Sequence, residues 1–300
     1  MSRSLDDATL NHLRDVAEWP DLGERYEVCG RLGRGGMGAV YEVHDRTLDR
    51  RVAVKVLDAT GYAPDSADRL LREAQLLARL EHPGIVPVHD AGTLADGRVF
   101  YAMKLVRGER LTDRLQREMS GPERADRMLR ICDAIAFAHA RGVVHGDIKP
   151  ENIMVGSFGE VLVMDWGVAA LLDPEKSAER VIAGTPGFMP PEQAEGARID
   201  ARADVYSLGA LLAAVMPKPL PRPLAAIVQR ACAPLAENRY ASVAELARDI
   251  AAFRDGDRVA AHRETLADRA ARLYSRYRVP ATLVVAYMVI RVALLLWFRR

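Results

Sequence analysis

Between the apolar runs Gly142-Val143-Val144 and Ile153-Met154-Val155 stands a polar stretch, His145-Gly146-Asp147-Ile148-Lys149-Pro150-Glu151-Asn152. Short loops held between buried segments are where reactive groups are usually mounted. Asp147 can accept a hydroxyl proton, Lys149 can steady a transferring phosphate, and the Asn152 amide oxygen can ligate Mg²⁺. Together these are parts that phosphoryl transfer asks for. Alone the stretch could also be a solvated turn, so the rest of the chain has to supply a nucleotide site.

A candidate lies upstream. Leu32 to Val43 places Gly33, Gly35 and Gly38 in a G-x-G-x-x-G turn between extended segments, and Val52-Ala53-Val54-Lys55-Val56-Leu57 alternates like a further strand. The glycine spacing by itself also opens a Rossmann nucleotide site. A Rossmann turn runs into a helix, whereas Ala39-Val40-Tyr41-Glu42-Val43 alternates like a strand. Glycine suits either site, because backbone N–H groups can then approach phosphate oxygens with no Cβ in the way.

These residues carry a resemblance. The loop at 145–152 resembles the catalytic loop of Hanks-type (eukaryotic-like) Ser/Thr protein kinases, and the hairpin followed by the Lys55 strand is similar to their phosphate-binding elements. Asp165-Trp166-Gly167 resembles the D-F-G element, and Gly184-Thr185 through Pro191-Glu192 the end of the activation segment. The resemblance implies an α+β, two-lobed protein kinase fold, with a small β-rich N-lobe and a larger helical C-lobe. It covers about 26–253. Its implied chemistry is transfer of the ATP γ-phosphate to protein Ser/Thr hydroxyls, with Mg²⁺ as the metal and Mn²⁺ as a substitute.

The implied roles follow residue by residue. Asp147 is the base, Lys149 neutralises the transferred group, and Asn152 and Asp165 hold Mg²⁺. Lys55 grips the phosphates and is held by Glu73, which lies on an amphipathic helix expected over 66–80. The nucleotide would lie under Leu32, Gly33, Arg34, Gly35, Gly36, Met37, Gly38, Ala39 and Val40. Ala53, Lys55, Met103 and Met154 would line its pocket, and backbone groups of Lys104 and Val106 would meet the adenine. Glu192 would pair with Arg239, and Asp204 would brace the catalytic loop.

Departures from the family pattern are visible. Gly146 stands where the family usually has Arg, Trp166 where it has Phe, Lys104 where it often has Glu, and Pro191 where it has Ala. Activation by loop phosphorylation works by pairing a phosphate with the Arg beside the catalytic Asp, and Gly146 offers no cation. Ser177 and Thr185 are the acceptors in the segment, and Thr185 matches a substrate-contacting position, so activity without activation-loop phosphorylation is expected. The Pro-rich stretch at 216–223 replaces a longer loop and helix of the family, which bears on substrate docking.

Composition bounds the rest. With 42 basic and 41 acidic residues the formal net charge is +1, and no bulk field argues for nucleic acid. Cys29, Cys132 and Cys232 lie far apart, as buried thiols of a reducing compartment do. Residues 1–25 are expected to form a helical extension without a signal peptide, and 254–278 an Arg-rich connector. Val279 to Phe298 carries one charge, Arg291, and eleven Leu, Ile, Val and Phe residues. A helix there spans about 30 Å, the hydrocarbon thickness. Its side chains favour insertion by about 3–7 kcal/mol against about 2.5–3.5 for a central Arg. Arg263, Arg269, Arg272, Arg276 and Arg278 precede the span and Arg299 and Arg300 follow it, so the kinase domain is expected on the cytoplasmic side of the inner membrane. Protein Ser/Thr substrates, the membrane and a homodimer for autophosphorylation are the expected partners. Two other readings remain: a membrane-anchored nucleotide-binding pseudokinase scaffold, and a small-molecule phosphotransferase, which the intact segment at 184–192 disfavours.

Overall fold

The computed structural model describes residues 19–35, 38–57, 66–117, 119–171 and 184–265, together with 269, 282, 284, 286–291 and 297. The helical extension over 1–18, Gly36, Met37, Ser177 and most of 266–300 lie outside the described residues.

The small lobe is built on a five-stranded antiparallel sheet. Its strands are β1 (Tyr26–Gly35), β2 (Gly38–Asp45), β3 (Arg50–Leu57), β4 (Val88–Thr93) and β5 (Val99–Lys104), in the order β1-β2-β3-β5-β4. The period-2 alternation read from β3 sorts its side chains onto two faces. Val52, Val54 and Val56 pack with Phe100, Ala102, Val43 and Tyr41 in one cluster. Ala53 and Leu57 join Tyr101 and Met103 against Leu70, Ala74 and Leu77 of α1 (Ser66–Ala78) in the other. The first face is also covered by Leu22 and Tyr26, with Trp19 packed beside them. Arg25 ties this cover down, donating to both oxygens of the buried Asp45 at 3.1 and 3.0 Å and to Asp90 at 2.7 Å. Trp19, Leu22 and Arg25 thus fasten residues 19–25 onto the small lobe, where they form turns and not a helix.

The larger lobe begins with β6 (Gly108–Arg110), α2 (Leu111–Leu115) and α3 (Gly121–His139). Helix α3 starts six residues before the apolar periodicity suggests. Ser120 caps it by accepting from the Glu123 backbone N–H while the Glu123 carboxylate accepts in return, a reciprocal box that fixes the first turn. Then come β7 (Val143–Val144), a 3₁₀ turn (Pro150–Asn152), β8 (Ile153–Gly156), β9 (Val161–Val163) and β10 (Ala170–Leu171), with β6-β8-β9 in one small sheet and β10 paired to β7.

Helices α4 (Pro191–Ala194), α5 (Ala201–Val215), α6 (Arg222–Ala231) and α7 (Val243–Asp255) complete the lobe. Helix α5 is mostly apolar and buries Val205, Leu208, Leu211 and Leu212 together with Asp204, which makes it the axis of the lobe. Ser242 caps α7, and Gly256 at φ +71° ends it. The connector does not leave the domain at once. Asp249 of α7 accepts from the backbone N–H groups of Ala260 and Ala261 at 2.7 and 3.0 Å, and Val259 is buried.

Residues 286–291 are helical. Tyr287, Met288, Val289 and Ile290, which together face every side of one turn, are 60, 58, 62 and 59% exposed. Among the described residues no helix is long and apolar enough to cross a membrane.

Candidate active site

The nucleotide side of the site is set by sheet register. Gly35 pairs with Gly38 at the end of the β1–β2 hairpin. At Gly38, with φ +147°, a Cβ would run into the Val56 carbonyl, so only glycine fits the turn where it crosses β3. Cross-strand pairing sets Val40 opposite Lys55 and Ala53 opposite Met103. Ala53 and Met103 are buried, Val40, Met154 and Val106 half-buried, and Lys104 and Leu32 exposed. The Lys104 backbone N–H donates to the Pro87 carbonyl at 3.1 Å, which spends that donor inside the sheet. The next residues, 105–107, leave the sheet as an irregular connection between the lobes.

Helix α1 delivers Glu73 to the same face. Lys55 Nζ donates to both Glu73 oxygens, at 3.0 and 2.9 Å, and reaches Asp165 at 3.4 Å. Burial pulls the Lys55 ammonium down, and the Glu73 and Asp165 carboxylates outweigh it, leaving it above the ordinary lysine value. Asp165 sits in the left-handed region at φ +58°, which turns its carboxylate back toward Lys55. Enclosure in the cleft raises Asp165, and Lys55, His145 and Lys149 outweigh that, holding it below the usual carboxylate range.

The other wall is the loop after β7. Lys149 Nζ donates to Asp147 Oδ2 at 2.6 Å and to Thr185 Oγ1 at 2.7 Å, and the Thr185 hydroxyl donates to Asp147 Oδ1 at 3.2 Å. Asn152 Nδ2 donates to the Asp147 carbonyl at 2.8 Å and to its carboxylate at 3.1 Å. The amide nitrogen is spent, so the Asn152 oxygen is the atom left for a cation. With the Asp165 carboxylate it forms an all-oxygen pair, and Mg²⁺ commonly takes one or two protein oxygens when phosphates and water fill the rest.

Behind the loop, the buried Asp204 of α5 accepts from the backbone N–H of His145 at 2.8 Å and of Gly146 at 2.9 Å. His139, at the end of α3, lies 2.7 Å from the same carboxylate. The His145 ring packs at a tilt of 49° against Trp166 with ring centroids 4.6 Å apart, and Trp166 is 1% exposed. The indole thus fills an apolar slot under the loop. Gln193 donates to the Gly146 carbonyl at 2.7 Å. Arg239, its side chain fully buried, grips Glu192 at 2.6 and 2.8 Å.

Most of the residues expected from the sequence are therefore brought together in two facing groups. Lys55, Glu73 and Asp165 form one, and Asp147, Lys149 and Asn152 the other. Gly36 and Met37 lie outside the described residues. Two contributors were not anticipated: Tyr101, whose hydroxyl reaches Glu73, and Gln193. Nothing in their local sequence marks them, because both act through segments remote along the chain.

A two-lobed fold with a lysine–glutamate pair on the sheet and an Asp-Lys-Asn loop facing it is that of a phosphotransferase. The protein kinase domain family matches residues 26–248, and the chain belongs to that family. It is 42% identical over 204 residues to the DNA damage-responsive serine/threonine-protein kinase RqkA of Deinococcus radiodurans, covering 64% of this chain and 29% of that protein. It is 37% identical over 276 residues to the serine/threonine-protein kinase PknB of Mycobacterium tuberculosis, covering 79% and 44%. The chain therefore spans less than half the length of these curated relatives. The crystal structure of the M. tuberculosis PknI kinase domain superposes with a TM-score of 0.63 at 28% identity, covering 78% of this chain and 96% of that one.

Proposed function

We propose that the protein is an ATP·Mg²⁺-dependent Ser/Thr protein kinase, held at a membrane by a helix over 279–298 with its kinase domain in the cytoplasm. The observation that carries the reading is the Asp147–Lys149–Thr185 cluster standing opposite Lys55, Glu73 and Asp165. Lys55, steadied by Glu73, holds the nucleotide phosphates. Asp147 orients the acceptor hydroxyl and takes its proton, and Lys149 offsets charge on the moving phosphoryl group. Asn152 and Asp165 supply oxygens for Mg²⁺, whose charge stabilises the transferred group when bound. These groups act by placement and charge, which is most of what phosphoryl transfer needs from a protein. The pseudokinase reading is disfavoured because every charged group the chemistry requires is in place.

Membrane attachment is supported by the apolar span and by the exposure on all sides of residues 287–290. Among the described residues, an apolar turn exposed on every side matches a lipid environment. Homodimerisation for autophosphorylation belongs to the same reading.

The test is transfer of ³²P from ATP·Mg²⁺ to the full chain and to a generic Ser/Thr acceptor, beside Asp147→Ala. The expected outcome is transfer by the parent and a loss of at least about 10³-fold in the variant. A parent that binds ATP and transfers nothing would return the pseudokinase scaffold.

A further inference from the structure

Tyr101 is the residue of the site that phosphoryl transfer does not call for. Strand register puts it directly across from Lys55, so the two side chains project from the same face of the sheet toward α1. The Tyr101 hydroxyl donates to Glu73 Oε1 at 3.0 Å in a buried position, and the Lys55 ammonium stands 5.8 Å from the centre of its ring. Tyr101 is 2% exposed and Glu73 3%. Glu73 is therefore held from two sides. Lys55 takes both carboxylate oxygens, and Tyr101 takes one of them from a rigid β-strand.

The geometry acquires meaning from what the loop lacks. Glu73 rides on a helix that has to stay against the sheet for Lys55 to be aimed. With Gly146 beside Asp147, a phosphorylated activation segment finds no arginine there to dock on and stabilise that arrangement. A phenol anchored in the sheet core supplies the restraint locally. Burial, then the neighbouring Glu73 carboxylate, pushes the Tyr101 hydroxyl well above its ordinary pKa, so it stays a donor across the working pH range.

Resting on the kinase reading above, we propose that Tyr101 is a positioning residue: its hydroxyl clamps Glu73 against the sheet and so presents Lys55 to the nucleotide. Phenylalanine would fill the same space, so the hydroxyl is the part that carries the role.

The experiment is a double-mutant cycle in the full chain, Tyr101→Phe and Glu73→Gln singly and together. It is read as kcat/KM for ATP and, independently of turnover, as ATP·Mg²⁺ affinity by equilibrium dialysis. A hydrogen bond to a buried charge predicts a roughly 10- to 100-fold loss for Tyr101→Phe. In the Glu73→Gln background the same substitution should cost little, because the clamp has lost its target. Equal losses in both backgrounds would make Tyr101 a packing residue and overturn the proposal, as would parent-like values for Tyr101→Phe. A parent that binds ATP without transferring phosphate would sink the kinase reading instead, and the dialysis cycle would still decide the clamp.

Discussion

Gly146 illustrates how much a single position settles. Its φ is +77°, and a Cβ there would lie 3.2 Å from a Val168 methyl. For a residue with a side chain the left-handed conformation costs about 1–2 kcal/mol. The chain meets the tight turn that lets Asp204 reach two successive backbone N–H groups by using glycine, and in doing so gives up an arginine at the position preceding Asp147. A phosphate on the activation segment gains strength from charge-assisted hydrogen bonds to such a cation. Ser177→Ala is accordingly expected to change turnover by less than about twofold. Steady-state phosphorylation of a Ser/Thr acceptor checks this, and a variant that loses most of its turnover would show that another cation does the arginine's work.

At the scale of elements, α3 and α5 meet through one buried carboxylate. Burial raises Asp204, and the hydrogen bond from His139, then the charges of His139 and His145, outweigh it and hold it below the ordinary carboxylate value. A depressed carboxyl gives its full stabilisation above the titration range of the unfolded chain and loses it as pH falls through the folded value. Asp204→Asn places an amide against donors that need an acceptor and breaks a buried pair, an expected loss of about 3–5 kcal/mol. Urea unfolding across the acid range measures it: the variant should be weaker at neutral pH and show a shallower fall toward acid. Parent-like unfolding at both ends of the range would leave Asp204 without its bracing role. Elements of this kind were legible in the sequence wherever a local pattern forces them. The alternation of Val52 to Leu57 gave β3, and the residues on either side of Gly38 distinguished a hairpin from a strand-to-helix turn. Helix α6 was not legible, because the prolines from 217 to 223 mask its start; Pro223 in fact sits in the first turn, where a missing N–H costs nothing. Tyr101 and Gln193 were hidden for a different reason. Each depends on a partner far along the chain, Glu73 for Tyr101 and the Gly146 carbonyl for Gln193, which no local periodicity records.

For the whole molecule, two separable forces act at the proposed membrane. The apolar span gains from burial in hydrocarbon, which salt does not screen, whereas the arginines from 263 to 278 are drawn to anionic headgroups by about 1 kcal/mol each, falling off within a Debye length. The two contributions predict different behaviour for the full chain and for residues 1–278. Reconstituted with anionic vesicles, the full chain should float with the lipid at low salt and still do so at about 1 M, where the Debye length is about 3 Å. The shortened chain should float at low salt and be released by the same addition. Flotation of both chains with equal salt sensitivity would mean that the basic segment alone makes the attachment and that 279–298 packs against protein. Retention of the full chain alone at high salt would place the apolar helix in the bilayer. The arginine-rich flank would then lie against the headgroups on the same side as the kinase domain, where ATP and protein hydroxyls are both within its reach.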